Sequence, residues 1–330
     1  MAGGFEEKGL HQGDGMIRVA ITMGDPSGIG ASITAKALLQ LKKEAEFTVI
    51  GDEWVFKKVR SSELGARSIN FIDLKNVNRK SFEFGKVKAE YGRASVEYLN
   101  KALELLARGQ VDCLVTCPIS KEALHKAHMS IAGHTEYLSR KTQVPDLVMM
   151  LLNRHLKISL VTRHIPLSNV SEKLDAPALT NTILTTHDAL KTLFSLKNPK
   201  IVVCGLNPHA SDNGLFGQEE NRVIKPTIKR LEEKLKNLHG PLPSDVAIHK
   251  AFQGFYDAVI AMYHDQALIP LKLFRENLGV NLTLGLPFVR TSPLHGTAFD
   301  IARTPKLADP CSLMEAIRLA IACTLNQKKG

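Results

Sequence analysis

The chain has 330 residues, of which 44% are hydrophobic, 23% charged and 6% aromatic. Such a chain folds around a core that needs neither disulfide nor structural metal, and this balance excludes an intrinsically disordered protein. Forty-three Lys and Arg against 33 Asp and Glu give a net charge of +10. The basic residues are scattered, so a nucleic-acid-binding module rests on net charge alone, and no apolar run reaches the ~18 residues of a membrane span.

The first fifteen residues, MAGGFEEKGLHQGDG, are polar and Gly-rich. They read as a disordered extension or an expression remnant, with Met16 as a natural start. They carry no apolar core of a secretory signal, and a cytoplasmic location is expected. Residues 18–23 (RVAITM) predict a strand that ends in the turn Gly24-Asp25-Pro26-Ser27-Gly28-Ile29-Gly30. Helix N-terminal amides after such a turn suit an anion. The spacing is neither a Rossmann nor a P-loop signature, and a purely structural turn fits equally.

A helix follows through Ile33, Ala37, Leu38 and Leu41, then a strand at 47–51. Val96, Leu99, Leu103 and Leu106 recur at three- and four-residue steps and predict a helix over 95–108, closed by Gly109. Further strands are predicted at 112–116, 156–162, 201–204 and 258–263, with helices at 177–194, 219–238 and 313–324. Strands alternating with helices predict an α/β fold with a largely parallel sheet. Residues 16–330 read as one unit of two interleaved α/β subdomains with an active-site cleft. Five cysteines without a CxxC pair, Cys113, Cys117, Cys204, Cys311 and Cys323, read as reduced thiols.

Three histidines stand just past the carboxyl ends of predicted buried strands: His164, His209 and His264. In an open α/β sheet those ends line one edge, where ligands bind. Neutral imidazoles from three loops then converge on a divalent metal, or they are unrelated loop residues. His134 and Thr135 lie in GHTEYL, which either caps a helix or binds phosphate or carboxylate. Lys272, Asn281 and Arg290 lie in mostly apolar segments. Singly each fits a surface position. Together they suit an anionic substrate such as a phosphate ester.

ITMGDPSGIG, GHTEYL, LNPHA, YHDQALIPLK and NLTLGLPFVRTSPLHGTAFDIA occur in this order across nearly the whole of 16–330. Jointly they resemble the 4-hydroxythreonine-4-phosphate dehydrogenases of pyridoxine 5′-phosphate synthesis, the PdxA family. The resemblance implies an isocitrate/isopropylmalate dehydrogenase-like architecture and an oxidoreductase using NAD or NADP. It places His164, His209 and His264 at the metal positions for a zinc, magnesium or cobalt ion, shared across a homodimer. It places His134, Thr135, Lys272, Asn281 and Arg290 at the substrate positions.

His295-Gly296-Thr297-Ala298-Phe299-Asp300 resembles the cofactor loop of those dehydrogenases, so His295, Gly296, Thr297, Ala298 and Asp300 are the expected cofactor residues. A structural loop is the alternative. Asp265 is a candidate general base, with orientation of His264 as its other reading. Ala31, Ser32, Leu294 and Arg303, and the run Ser211-Asp212-Asn213, depart from the family pattern. Those departures leave substrate and cofactor preference open. The implied reaction is oxidation of 4-phosphooxy-L-threonine, with 4-phospho-D-threonate or D-erythronate as the alternative substrate.

Overall fold

A computed structural model describes residues 15–59, 69–131, 133–273 and 278–329. The expected extension at 1–15 lies almost wholly outside the described residues. In chain order the elements are β1 (Arg18–Thr22), α1 (Gly30–Leu41), β2 (Glu46–Gly51), α2 (Glu53–Val59), β3 (Asn70–Asp73), α3 (Ala89–Ala107), β4 (Cys113–Thr116), α4 (Lys121–Lys126), α5 (His134–Thr142), β5 (Val148–Leu152) and β6 (Lys157–Leu160). There follow α6 (Val170–Lys173), α7 (Ala176–Thr192), β7 (Ile201–Cys204), α8 (Lys225–Glu232), β8 (Leu238–Leu242), α9 (Ser244–Phe252), β9 (Ala258–Ala261), α10 (His264–Lys272), β10 (Val280–Leu284), β11 (Val289–Pro293) and α11 (Cys311–Lys329).

The described strands form one sheet in the order β3-β2-β1-β4-β11-β10-β5-β6-β9-β7-β8. The two flanks are parallel. The centre is not: β10 pairs antiparallel with both β11 and β5, and β5 pairs antiparallel with β6. The α/β class and the largely parallel sheet are as the alternation predicts. Runs such as IVVC in β7 and AVIA in β9 are buried at every position. That is the sequence form of a strand covered on both faces.

The covering is visible residue by residue. Ile201 and Val203 of β7 pack with Leu179, Ile183 and Leu190 of α7 and Ile228 and Leu231 of α8. Val202 and Cys204 point the other way, into Ala247 and Ala251 of α9 and Ala267 and Leu271 of α10. The alternation is the period-2 geometry of a strand. A larger core joins β1, β2, β4, β10 and β11 to α1, α3 and α11. Helix starts follow local chemistry. The Asp175 side chain caps α7 by accepting from the Ala178 N–H at 2.7 Å, with Pro177 in the first turn.

The elements differ from expectation in several places. α3 begins at Ala89, six residues before the predicted start, because Tyr91 and Ala94 extend the buried face. The single helix predicted over 219–238 is a π-helical turn at Glu220–Ile224, then α8, then a strand beginning at Leu238. β3, β5 and β8 had no predicted counterpart. β10 and β11 were read as motif rather than strand. All five described cysteines are free, and burial pushes the Cys113, Cys117, Cys204 and Cys323 thiols up to about 12. No described helix is long and apolar enough to cross a membrane.

Candidate active site

The antiparallel centre of the sheet carries the site. Asn281 on β10 lies opposite Leu151 on β5 and Ser292 on β11. Two residues along, Thr283 lies opposite Met149 and Arg290. With a period of two, these six residues share one face. A cavity of about 390 Å³ is lined by Met149, Leu151, Asn281, Ser292 and Arg290. Its walls are completed by Thr116 at the end of β4, Lys121 on α4, His134, Thr135 and Glu136 on α5, His164 in the loop after β6 and His264 at the start of α10.

Arg290 is 1% exposed. Its guanidinium donates to Thr283 Oγ1 at 2.9 Å and to Thr116 Oγ1 at 2.5 Å, and its Nε–H is buried without a partner. Among the described residues it forms no ion pair. Burial pulls it down to about 10, so it remains charged at neutral pH. Asn281 Oδ1 is likewise buried and unpartnered. Burial, then the Arg290 charge, hold the His134 imidazole well below its ordinary range, so the ring is neutral. A buried cation with a vacant donor, beside a vacant acceptor, suits an anion that also carries a donor.

His164 and His264 face one another with ring centroids 5.5 Å apart. Burial, then the charges of Lys121 and His264, lower His164, which favours the neutral, ligating form. His264 Nδ1 meets Asp265 Oδ1 at 2.9 Å. Asp265 is exposed and lines a different groove, beside Phe252 and Ile269. Its geometry is that of a residue orienting His264 rather than of a base in the cavity.

His209 does not line this cavity. It is exposed, 6.2 Å from Phe216 in ring-centroid distance, and begins a left-handed turn that runs to Asn213. Five successive non-glycine residues hold φ between 44° and 68° there. Each such residue costs roughly 1–2 kcal/mol. Buried Glu220 braces the approach to this turn: Oε1 accepts from Leu206 and Asn207 N–H, each at 2.8 Å. Buried Gln266 ties the loops of β7 and β9 by accepting from Met262 N–H at 2.7 Å and donating to the Gly205 carbonyl at 2.9 Å. Among the described residues, no three His, Cys, Asp or Glu side chains meet closely enough to hold a metal.

A second cavity of about 380 Å³ shares Leu294 and His295 with the first. Its other walls include Ile29, Leu271, Ala298, Ile301, Leu307 and Asp309. His295 Nε2 is buried there without a partner. Lys272 lines this second cavity and not the first. Gly296 lines the first, whereas Thr297 and exposed Asp300 line neither. Arg303 is exposed and donates to the Phe84 carbonyl at 3.1 Å. Sequence reasoning missed Thr116, Lys121 and Glu136. Lys121 was within reach of the argument used for the histidines, since it too follows the carboxyl end of a buried strand.

The profile of the pyridoxal phosphate biosynthetic protein PdxA matches residues 21–320. The chain belongs to the PdxA family. A 4-hydroxythreonine-4-phosphate dehydrogenase of Sulfurihydrogenibium is 40% identical over 320 residues, covering 93% of this chain and 98% of the relative. A D-threonate 4-phosphate dehydrogenase of Salmonella typhimurium is 40% identical over 321 residues, covering 92% and 98%. The crystal structure of a 4-hydroxythreonine-4-phosphate dehydrogenase from Klebsiella pneumoniae superposes with a TM-score of 0.83 at 36% identity, covering 94% of this chain and 98% of that one. The chain is an oxidoreductase of this family.

Proposed function

We propose that this PdxA-family chain oxidises the C3 hydroxyl of 4-phosphooxy-L-threonine with NAD or NADP. The product is 2-amino-3-oxo-4-phosphooxybutanoate, which loses carbon dioxide to give 3-amino-2-oxopropyl phosphate. The observation that carries this reading is buried Arg290, charged and without a carboxylate partner, in the same cavity as the facing His164 and His264. Arg290 and Asn281 bind and orient the anionic substrate. Neutral His134 and the Thr135 hydroxyl complete its hydrogen bonds without adding charge.

His164 and His264 fit a divalent ion: two imidazoles face one another, and His164 is held toward its neutral form. Zinc, magnesium or cobalt suits such nitrogen ligands to differing degrees. The third imidazole, His209, is contributed by a second copy of the chain, which makes the active unit a homodimer. The second cavity fits a nicotinamide cofactor, with its apolar wall of Ile29, Ile301 and Leu307 and the vacant His295 nitrogen. A divalent ion held by these imidazoles would supply Lewis acidity at the C3 oxygen, and a nicotinamide bound in the second cavity would supply the hydride acceptor. Asp265 fixes the His264 ring, and the Met149 and Leu151 side chains limit water around the reacting carbon.

A second reading, oxidation of 4-phospho-D-threonate or D-erythronate, is favoured by the equally similar Salmonella relative. The two differ at C2, where an amine is replaced by a hydroxyl. The test is NAD and NADP reduction with 4-phosphooxy-L-threonine against 4-phospho-D-threonate, with and without chelator. A preference for the first substrate that chelator abolishes supports the main reading. A preference for the second selects the alternative, and reduction with neither refutes both.

A further inference from the structure

We propose that the chain carries a separate anion-binding site, remote from the cavities described above, that takes a di- or triphosphate group. A cavity of about 320 Å³ opens beside Ile201 and Leu238, the first residues of β7 and β8. It therefore lies at the amino ends of these strands. His164 and His264 follow the carboxyl ends of β6 and β9, which run parallel to β7, so the candidate active site is at the opposite edge of the sheet. The rim of this cavity carries Lys191, Lys197, Lys234 and Lys236, all exposed, and the amides of Asn198 and Asn237. These lysines are dispersed in sequence and gathered by the fold: Lys191 ends α7, Lys197 lies in the loop after it, and Lys234 and Lys236 lie in the turn after α8.

The two loops are fastened to each other. The Asn237 side-chain amide donates to the Asn198 carbonyl at 3.3 Å, and the Ile201 N–H donates to the Asn237 carbonyl at 2.9 Å. Among the described residues no carboxylate lines the cavity, and none of the four ammonium groups has an ion-pair or side-chain hydrogen-bond partner. Asp188, Glu232 and Glu233 are exposed outside the lining, and Asp188 meets His187 Nδ1 at 3.2 Å. The carbonyl ends of α7 and α8 supply about half a negative charge each, which answers one lysine and leaves about three. Like charges gathered on one rim repel, and an anion of matching charge relieves that repulsion. A di- or triphosphate chain carries about −3 to −4, from one charge on each bridging phosphate and about −1.5 to −2 on the terminal one. Its row of acceptor oxygens meets several separate donors at once, which a lone phosphate or carboxylate does not. The cations surround one concavity rather than forming a stripe, which separates this surface from one that tracks a nucleic-acid backbone.

The test is calorimetric titration of the full chain with sodium tripolyphosphate, without added divalent ion, at roughly 50 mM salt, where charges still act across about 10 Å. Binding is expected, with orthophosphate and citrate about tenfold weaker or more. Lys197→Gln and Lys234→Gln combined should weaken it about tenfold or more, and the same pair changed to Arg should stay within about threefold of the parent. Lys42→Gln and Lys43→Gln combined, an exposed pair just past α1, make the same change in net charge and should weaken it less than about threefold. The melting temperature of the Lys197 and Lys234 variant should match the parent, because both side chains are exposed. Equal weakening by the two Gln pairs would mean that net charge is read and not the cavity. Loss in Arg290→Met with the Lys197 and Lys234 pair unaffected would place the anion in the active site. Citrate binding as tightly as tripolyphosphate would overturn the ligand class. Duplex DNA that binds more tightly than tripolyphosphate and depends on the same lysines would make this a nucleic-acid surface. Any of these results, or no binding at all, overturns the proposal.

Discussion

The Ile29 N–H donates to the Thr297 carbonyl at 3.0 Å. This bond joins the GDPSGIG turn, whose helix N-terminus suits an anion, to the HGTAFDIA loop, which carries the expected cofactor residues. They are one surface: Ile29 and Ala298 line the same cavity. A Cβ on Gly28 would stand 2.9 Å from the Thr297 carbonyl oxygen, so the turn can lie against the loop only as glycine. Gly28→Ala should push the loop outward. We expect a several-fold rise in KM for the nicotinamide cofactor and a smaller change for the phosphorylated substrate. A variant in which both constants stay at the parent value would separate the turn from the cofactor cavity.

Arg290 is a site residue that the fold carries at a cost. A buried cation without a carboxylate partner opposes folding. Arg290→Met fills similar space without charge. It should unfold at a higher denaturant concentration than the parent, by about 1 kcal/mol or more, while losing substrate binding. Equilibrium unfolding in urea measures the first and titration the second. Loss of stability together with retained binding would mean that Arg290 serves the core and not the ligand.

Asp25 gives stability a pH dependence. Burial pushes its carboxyl up to about 6, against an ordinary value near 3.8, and one oxygen is buried without a partner. Between those values the folded state binds the proton that the unfolded chain has released. Stability contributed here is therefore highest below about pH 4, falls as pH rises toward 6 and stays low above it. Asp25→Asn keeps an acceptor for the Ser27 N–H, 2.9 Å away in the parent. It should raise stability at pH 7 by about 2–3 kcal/mol and flatten the slope between pH 4 and 6. Urea unfolding at unit pH steps reads both, and an unchanged slope would contradict the assignment.

Glu220 carries the brace of the His209 turn. Glu220→Ala leaves the Leu206 and Asn207 N–H groups without their acceptor. The expected loss is about 2 kcal/mol of stability. Activity measured well below the new melting temperature should also fall, because His209 is no longer held in its left-handed turn. Full activity in a destabilised but folded variant would remove that turn from the site.

Much of this architecture was legible. Runs of buried β-branched residues marked β1, β2, β4, β6, β7 and β9, and the position just past a strand's end marked His164, His209 and His264. What escaped depended on contacts distant in sequence. β8 reads LHGPL, with a Gly and a Pro that argue against a strand, and it pairs only because β7 offers an edge. β5, VMMLL, could not be told from a helical segment by periodicity. The antiparallel centre was hidden for the same reason, and with it the face that carries Arg290. Periodicity reports whether a residue is buried. It does not report which residues from three strands will share one face, nor that Lys272 and Lys121 would fall in different cavities.

The central claim is that Arg290 and its cavity bind the phosphorylated form of a hydroxy acid. Calorimetric titration of the parent chain with 4-phosphooxy-L-threonine and with 4-hydroxy-L-threonine tests it most directly. The phosphoryl group should improve the affinity by about tenfold to a hundredfold, as expected for one charge-assisted contact, and Arg290→Met should erase most of the difference. Equal affinities for the two compounds in the parent chain would contradict the account.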